Sequence, residues 1–577
     1  MRQKKYQKIL HVAFIAGAIT SAIGLNFLPA GLQRSGFTTT TIDGVNIHYN
    51  LYRGDPGAPP ASKPTIVIGH GLLVNKEMMT NFAIELAARG FVVASIDWRA
   101  HGKSGGILSQ EGLDKDLEAV LADLPGRAPE ANMSALGMMG YSMGGYPTFR
   151  YAVNHSAVKA WVGVATAVND DIANDSAPGN VLLVIGKFDE AFSVEEERAN
   201  LANITSGISL PSDLEFDTTY GDIDGGNARR MALVRNADHL NVPWNAKFVR
   251  ETTSWFVKTF NGSAAGTGML HFYWRSLLVF VGLASLVGIV YSLAIVLSKA
   301  LKITGASSKK GEMDRQDGGN KVHALMLGGG TLDESQATLK WLVPRFYGFG
   351  FLLLPTAILP ALSLLTPLFF TGFMTTLVCT LAINILLMIW RIVKKNGGSI
   401  KILLKEEIST SPKVIVLSSI ITVAFMAGMY LVISLNQLGI IPSVSRIGYL
   451  ILFTAILFLA LFIYNVFNQR LLVPILDEKL NIKNNKVKFL VVGFLSCALI
   501  YSWFLVLILV PSIIMGNYFL CMVLTLMVPI FMFFSYAGLF LEQETGSCVP
   551  NAILQAVILG FIIVTLSPFG SFLQLFA

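Results

Sequence analysis

Along the first half of this chain short apolar runs alternate with amphipathic stretches, whereas along the second half the apolar runs are long and nearly unbroken. Val45–Leu51, Thr65–Ile68, Phe91–Ile96, Ser134–Met139, Ala160–Val164, Val181–Ile185 and Met231–Val234 are too short for helices and are bounded by turn residues, so they read as strands. Between them, Lys76–Arg89, Glu111–Leu124 and Trp244–Phe260 repeat apolar residues at helical spacing. Strands alternating with helices predict βαβ units and a doubly wound, mostly parallel sheet, an α/β domain over 38–262.

The remaining apolar stretches run at 9–31, 272–297, 346–365, 367–390, 413–435, 447–467, 488–510, 516–540 and 549–569. Each is long enough to cross about 30 Å of hydrocarbon as a helix. The stretches at 346–365 and 367–390 are divided only around Thr366-Pro367, so they form a tight hairpin or a single miscounted region. The expected division is an N-terminal anchor over 1–37, the α/β domain over 38–262, and an all-α polytopic domain of about eight spans over 263–577. The first span is longer than the apolar core of a signal peptide and reads as an uncleaved anchor. Composition agrees: 53% of residues are hydrophobic and only 14% charged, against about 25% charged in soluble domains.

Charge then orients the spans. Basic residues crowd the start (Arg2, Lys4, Lys5, Lys8) and the loops 298–345, 391–412 and 468–487, while the alternate loops are nearly bare, with Arg446 the exception. The positive-inside rule puts the N-terminus and those loops, including the linker 298–345, in the cytoplasm and segment 38–262 outside it. Five Asn-x-Ser/Thr sequons (Asn132, Asn154, Asn174, Asn203, Asn261) fall in that outer segment and add weak support. The formal charge of +7 is accounted for by these loops, so it calls for a bilayer and not for nucleic acid. The four cysteines lie in or beside the apolar runs and form neither a disulfide framework nor a zinc-ligand spacing, so no metal or cofactor is expected.

Chemistry concentrates in the α/β segment. Gly140-Tyr141-Ser142-Met143-Gly144 follows one strand and precedes a helix, the form of a nucleophile elbow. Serine attacks carbonyls only when a base takes its proton. Of eight histidines, His239 is the one that lies in this segment after a suitable acid; His70 reads as a brace of its loop. Asp189, just past Val181–Ile185, is the expected third member, with Asp170, Asp171 and Glu190 as rivals and Asp238 turned away. Two main-chain amides complete the pattern: Met143, after the nucleophile, and Leu72, in Gly69-His70-Gly71-Leu72-Leu73, would hold an oxyanion.

Gly69-His70-Gly71, the stretch Asp97–Ser104, the elbow with Gly145, Asp189 and His239 together resemble the α/β-hydrolase superfamily over about 38–262. The resemblance implies a serine esterase or lipase-like acyl hydrolase, with Asp97–Ser104 structural. About fifteen residues separate Ala160–Val164 from the next strand, too few for the helical cap of many lipases, and this resembles dienelactone-hydrolase-like members. The extra length is Leu201–Arg229, a substrate-shaping flap or a surface excursion. The expected substrate is a small-molecule or lipid ester, and acyl transfer would use the same residues. A transporter or assembly factor with a hydrolase-like ligand-binding domain is the rival from another class. Asn384, Asn465 and Glu542, with kinks at Pro355, Pro360 and Pro529, are its only polar or broken-helix signs.

Overall fold

In the computed structural model, residues 2–54, 62–261, 270–303, 342–347, 366–395, 398–480, 482–516 and 518–571 are described. Nine strands form one sheet: β1 (Leu32–Thr40), β2 (Asn46–Gly54), β3 (Lys63–Gly69), β4 (Val92–Ile96), β5 (Ala131–Tyr141), β6 (Val158–Val164), β7 (Val181–Phe188), β8 (Thr219–Tyr220) and β9 (Arg229–Asp238). Their order is β1-β2-β4-β3-β5-β6-β7-β9-β8. The central strands from β4 to β9 run parallel, and β1, β2 and β8 are antiparallel additions at the two edges. Parallel strands bury both faces, and all five residues of β4 are buried.

Helices supply those covers. The helices α2 (Thr80–Ala87) and α6 (Ala246–Asn261) pack Phe82, Phe248 and Phe256 on one face. On the other, α3 (Gln110–Arg127) and α4 (Gly145–Asn154) contribute Leu113, Leu117 and Phe149. Register then sets the site. Gly69 pairs with Gly140, and Phe188 with Asp238, so the loops leaving β3, β5, β7 and β9 emerge at one carboxyl edge.

Two local readings change. The sheet begins at Leu32, ahead of residue 38, because β1 is an edge strand whose half-exposed pattern hides its pairing with β2. Leu201–Arg229 is an excursion that packs back: it holds β8, and Leu214 and Arg229 are fully buried.

In the helical half, seven helices among the described residues are long and apolar enough to cross a membrane. They are Tyr6–Asn26, Phe272–Ala300, Phe369–Lys395, Pro412–Ser434, Val444–Asp477, Asn485–Leu509 and Val549–Leu566. The stretch expected at 516–540 is instead a pair, Leu520–Leu526 and Val528–Thr545, bent by 43°. The break falls at Met527, one residue before the Val528-Pro529 start of the second helix, as expected where a ring cannot continue the ladder. Of the stretch at 346–365, all but its first two residues lie outside the described residues.

The helical half meets the sheet half through helix ends. Asn75 exchanges two hydrogen bonds with the Gly439 main chain (2.8 and 2.9 Å), Arg34 donates to Leu435 O (2.7 Å), and the Trp244 indole donates to Gln437 (3.0 Å). The Phe272 amide donates to Glu85 (2.7 Å), and Leu108 N to Phe569 O (3.0 Å).

Candidate active site

The turn after β5 holds Ser142 at φ 49°, a left-handed conformation that side-chain-bearing residues rarely adopt. The turn is this tight because glycines flank it: a Cβ on Gly140 would sit 2.4 Å from Gly144 O and from the Gly145 Cα. Thr166, just past β6, donates its hydroxyl to Ser142 O (2.8 Å) and holds the strained residue from the other side.

His239 follows β9. Its Nε2 lies 3.0 Å from Ser142 Oγ, and its Nδ1 lies 3.1 Å from both Asp189 carboxylate oxygens. With Nδ1–H donating to Asp189, Nε2 is left to accept the serine proton. The ring is held as well as paired. Tyr141 donates its hydroxyl to His239 O (3.0 Å), and Tyr141 and Phe192 flank the imidazole with centroids 5.6 Å away. Asp189 is fixed in turn, Oδ1 accepting from the amides of Ala191 and Phe192 (3.0 Å each). Its side chain is wholly buried.

The rival acids lie elsewhere. Asp238 turns its Oδ1 to the amides of Leu240 and Asn241 (2.8 and 2.9 Å). Asp170 accepts from Asn203 (2.6 Å), and Asp171 is exposed. Glu190 reaches only the His239 amide, at 3.5 Å, and burial raises its carboxyl above the usual range.

The loop after β3 comes against the nucleophile. A Cβ on Gly71 would stand 3.0 Å from the Ser142 Cβ and 3.0 Å from the Tyr141 ring, so only glycine allows this approach. Leu72 follows Gly71 directly in the chain, and Met143 is the second residue of the short helical turn Ser142–Gly144 that leads into α4. His70 is a brace: its Nδ1–H donates to Gly71 O (2.7 Å) and its Nε2 accepts from Trp98 N (3.1 Å). The Trp98 indole returns a bond to His70 O (2.9 Å). Burial holds the His70 imidazole down at about 4, so it stays neutral in this tautomer.

Behind that loop sits a buried ion pair. Lys76 contacts Asp97, which also accepts from the amides of Lys76 (2.9 Å) and Lys103 (3.0 Å). Asp97 thus ties the start of its own stretch to the loop after β3, a structural role. Residues 165–180, between β6 and β7, contain no helix, so no cap arises there.

Thr166 and the Tyr141 hydroxyl were missed in the sequence. Their signal was position alone, one just past a strand end and one beside the nucleophile.

The family model described as Hydrolase_4: Serine aminopeptidase, S33 matches residues 60–204, a stretch that includes Ser142 and Asp189 and stops before His239. The uncharacterized protein YfhR of Salmonella typhimurium is 25% identical over 189 residues, 30% of this chain; the chain spans 63% of that relative's length. Among solved structures, a hypothetical protein of Pseudomonas aeruginosa, PA2218, overlays with a TM-score of 0.31 at 15% identity, covering 41% of this chain and 96% of its own. The Pyrococcus furiosus esterase Pf2001 overlays with a TM-score of 0.31 at 18% identity, covering 39% of this chain and 92% of its own. The matched family model, the mostly parallel sheet and the elbow after β5 agree: the sheet half of this chain has an α/β-hydrolase-like fold, joined to a half built of apolar helices long enough to cross a membrane.

Proposed function

We propose that this chain is a membrane-embedded serine hydrolase that cleaves acyl esters, with Ser142 as nucleophile, His239 as general base and acid, and Asp189 holding the imidazole. The reading is carried by one observation, the Ser142–His239–Asp189 relay at 3.0 and 3.1 Å. Ser142 Oγ adds to the carbonyl carbon as His239 Nε2 takes its proton, and Asp189 stabilises the imidazolium that results. The negative charge moves to the former carbonyl oxygen, which the Leu72 and Met143 amides would stabilise. Collapse expels the alcohol, protonated by His239, and leaves an acyl-serine. Water, deprotonated by the same imidazole, then releases the acid.

Extracytoplasmic placement of the hydrolase draws support from how the helix ends sort. Four helices whose hydrolase-side ends are Phe272, Phe369, Ser434 and Arg446 carry Lys299, Lys394, Lys395, Lys413 and Arg470 toward their opposite ends, while the two arginines on the hydrolase side, Arg275 and Arg446, are fully buried. Under the positive-inside rule that opposite face is cytoplasmic. Lipid-like esters are the favoured substrates, because Trp244, in the loop after His239, and Asn75, in the loop after Leu72, both contact the helical half. The family description names an aminopeptidase, which makes amide cleavage the second reading.

Purified protein in nanodiscs, given p-nitrophenyl esters of rising acyl length and aminoacyl p-nitroanilides, decides between these. The expected result is ester turnover that rises with chain length and falls about a millionfold in Ser142→Ala. Anilide turnover without ester turnover establishes the second reading. Activity that survives Ser142→Ala overturns both. A wild type that neither turns over nor takes a fluorophosphonate label leaves the ligand-binding, transporter-type reading standing.

A further inference from the structure

Arg446, at the hydrolase end of the long helix Val444–Asp477, is fully buried. Each of its guanidinium nitrogens is engaged. Nε donates to Val564 O (3.2 Å), Nη1 to Ser443 Oγ (3.2 Å) and Gly102 O (3.3 Å), and Nη2 to Ala100 O (2.6 Å) and Ser567 O (2.9 Å). Five N–H groups therefore meet five acceptors, four of them main-chain carbonyls, and Phe569 lies under the guanidinium with its ring centroid 4.4 Å away.

Two of those carbonyls, Ala100 and Gly102, belong to the hydrolase, in the loop that follows β4. Both residues have left-handed backbones, at φ 68° and 49°. Such a loop keeps its shape only if its surroundings hold it. The Phe569 amide adds a further bond to Ala100 O (3.1 Å). Upstream in the same loop, Trp98 makes the two bonds that fix His70, and His101 sets its ring edge-on to His70 with centroids 5.0 Å apart. His70 holds Gly71 O, and Gly71 presses on Ser142. A continuous set of hydrogen bonds and contacts thus runs from the helical half to Gly71, the residue before Leu72.

We infer that Arg446 is a positioning residue: by clamping the Ala100–Gly102 loop it sets, through Trp98 and His70, the orientation of the Leu72 amide toward the developing oxyanion. This inference rests on the proposed hydrolase reading. It makes the helical half part of the active site's support and not merely its anchor. Arginine suits the task because its planar fork reaches several carbonyls at once; a lysine ammonium is a single point with three donors.

The test uses full-length protein in nanodiscs with the best ester of the series. Removing an oxyanion donor lowers kcat by about 10²–10³-fold. Loosening one is expected to take about tenfold from kcat in Arg446→Met, with KM within about twofold. Affinity for a trifluoromethyl ketone, which forms a tetrahedral adduct on Ser142, should fall by the same factor, a loss that mere destabilisation would not produce. The Arg446→Met and Trp98→Phe losses should be strongly non-additive if the effect travels through the loop. Unchanged kcat and ketone affinity in Arg446→Met, or a change confined to KM, overturns the inference. If Arg446→Met does not accumulate, Arg446→Lys takes its place with an expected loss of several-fold in kcat, and full kcat there overturns it equally. A wild type with no Ser142-dependent turnover refutes the hydrolase reading instead, so the two failures are distinguishable.

Discussion

One helix, Val444–Asp477, carries a wholly buried arginine, Arg446, at one end and a largely buried one, Arg470, toward the other, roughly 35 Å apart at 1.5 Å per residue, and they are satisfied in contrasting ways. Arg470, at the far end, pairs with Glu407 (2.7 Å) and Glu542 (2.8 Å), which come from two other helices. Arg446 takes main-chain carbonyls of the hydrolase and of the last helix. A carboxylate pair neutralises charge and tolerates small shifts of backbone. A set of carbonyls neutralises little but is sensitive to where each peptide unit points. The far end is therefore built to close the bundle, and the near end to register one half of the molecule against the other.

The sharpest way to break this comparison is Arg470→Met. It leaves two carboxylates facing each other with little water, so stability should fall by about 4 kcal/mol. Thermal unfolding in detergent reads this, while kcat per folded molecule should stay at the wild-type value. A drop in kcat would erase the distinction between the ends.

Lys76→Met applies the same arithmetic on the hydrolase side, where Asp97 is wholly buried and would lose its cation. The expected loss is about 3 kcal/mol. Because Asp97 begins the loop that Arg446 clamps, kcat should fall here as well, and denaturation together with initial rates checks both.

An acid titration is gentler. The His70 imidazole is held down to about 4 when folded, against an ordinary value near 6.5 in the unfolded chain. Between those values the unfolded state binds the proton and the folded state does not, so stability is full above pH 6.5 and falls as pH drops. His70 should contribute about 1.4 kcal/mol per pH unit to the slope, beside His48 and His101, whose imidazoles burial also holds down, so the curve should be flatter by about that amount in His70→Gln. An unchanged slope in that variant would detach the loop brace from the pH response. Smallest of all, Arg470→Lys should lose only about 1 kcal/mol, since a point charge still serves two carboxylates.

What the sequence revealed follows the same division. Ser142, Asp189 and His239 were legible because each lies just past the end of a strand, and chain order ranks the candidates. Strands β2 to β7 and β9 announced themselves as short apolar runs. Strand β1 did not, since Leu32–Thr40 reads mostly Thr, Ser, Gln and Gly and gains its identity only by pairing with β2. The π-helical turns at Tyr430–Ser434 and Asn468–Leu472 leave no trace in apolar periodicity, because an extra residue in one turn changes no composition. Arg446 did leave a trace, as the one basic residue interrupting otherwise bare loops. A charge that breaks a topological rule needed a partner, and its partners are mostly main-chain atoms, which sequence patterns do not display.

The tail past the last helix has a consequence for how the protein is made. A ribosome finishes the whole sheet and its covering helices once Asn261 is added, yet the loop at Ala100 receives the Arg446 guanidinium only after nearly two hundred further residues and the Phe569 amide only after some three hundred. During synthesis that loop therefore lacks these partners until the helices that carry them have been made. On the proposed hydrolase reading, the support behind Gly71 is therefore among the last parts of the molecule to be put in place.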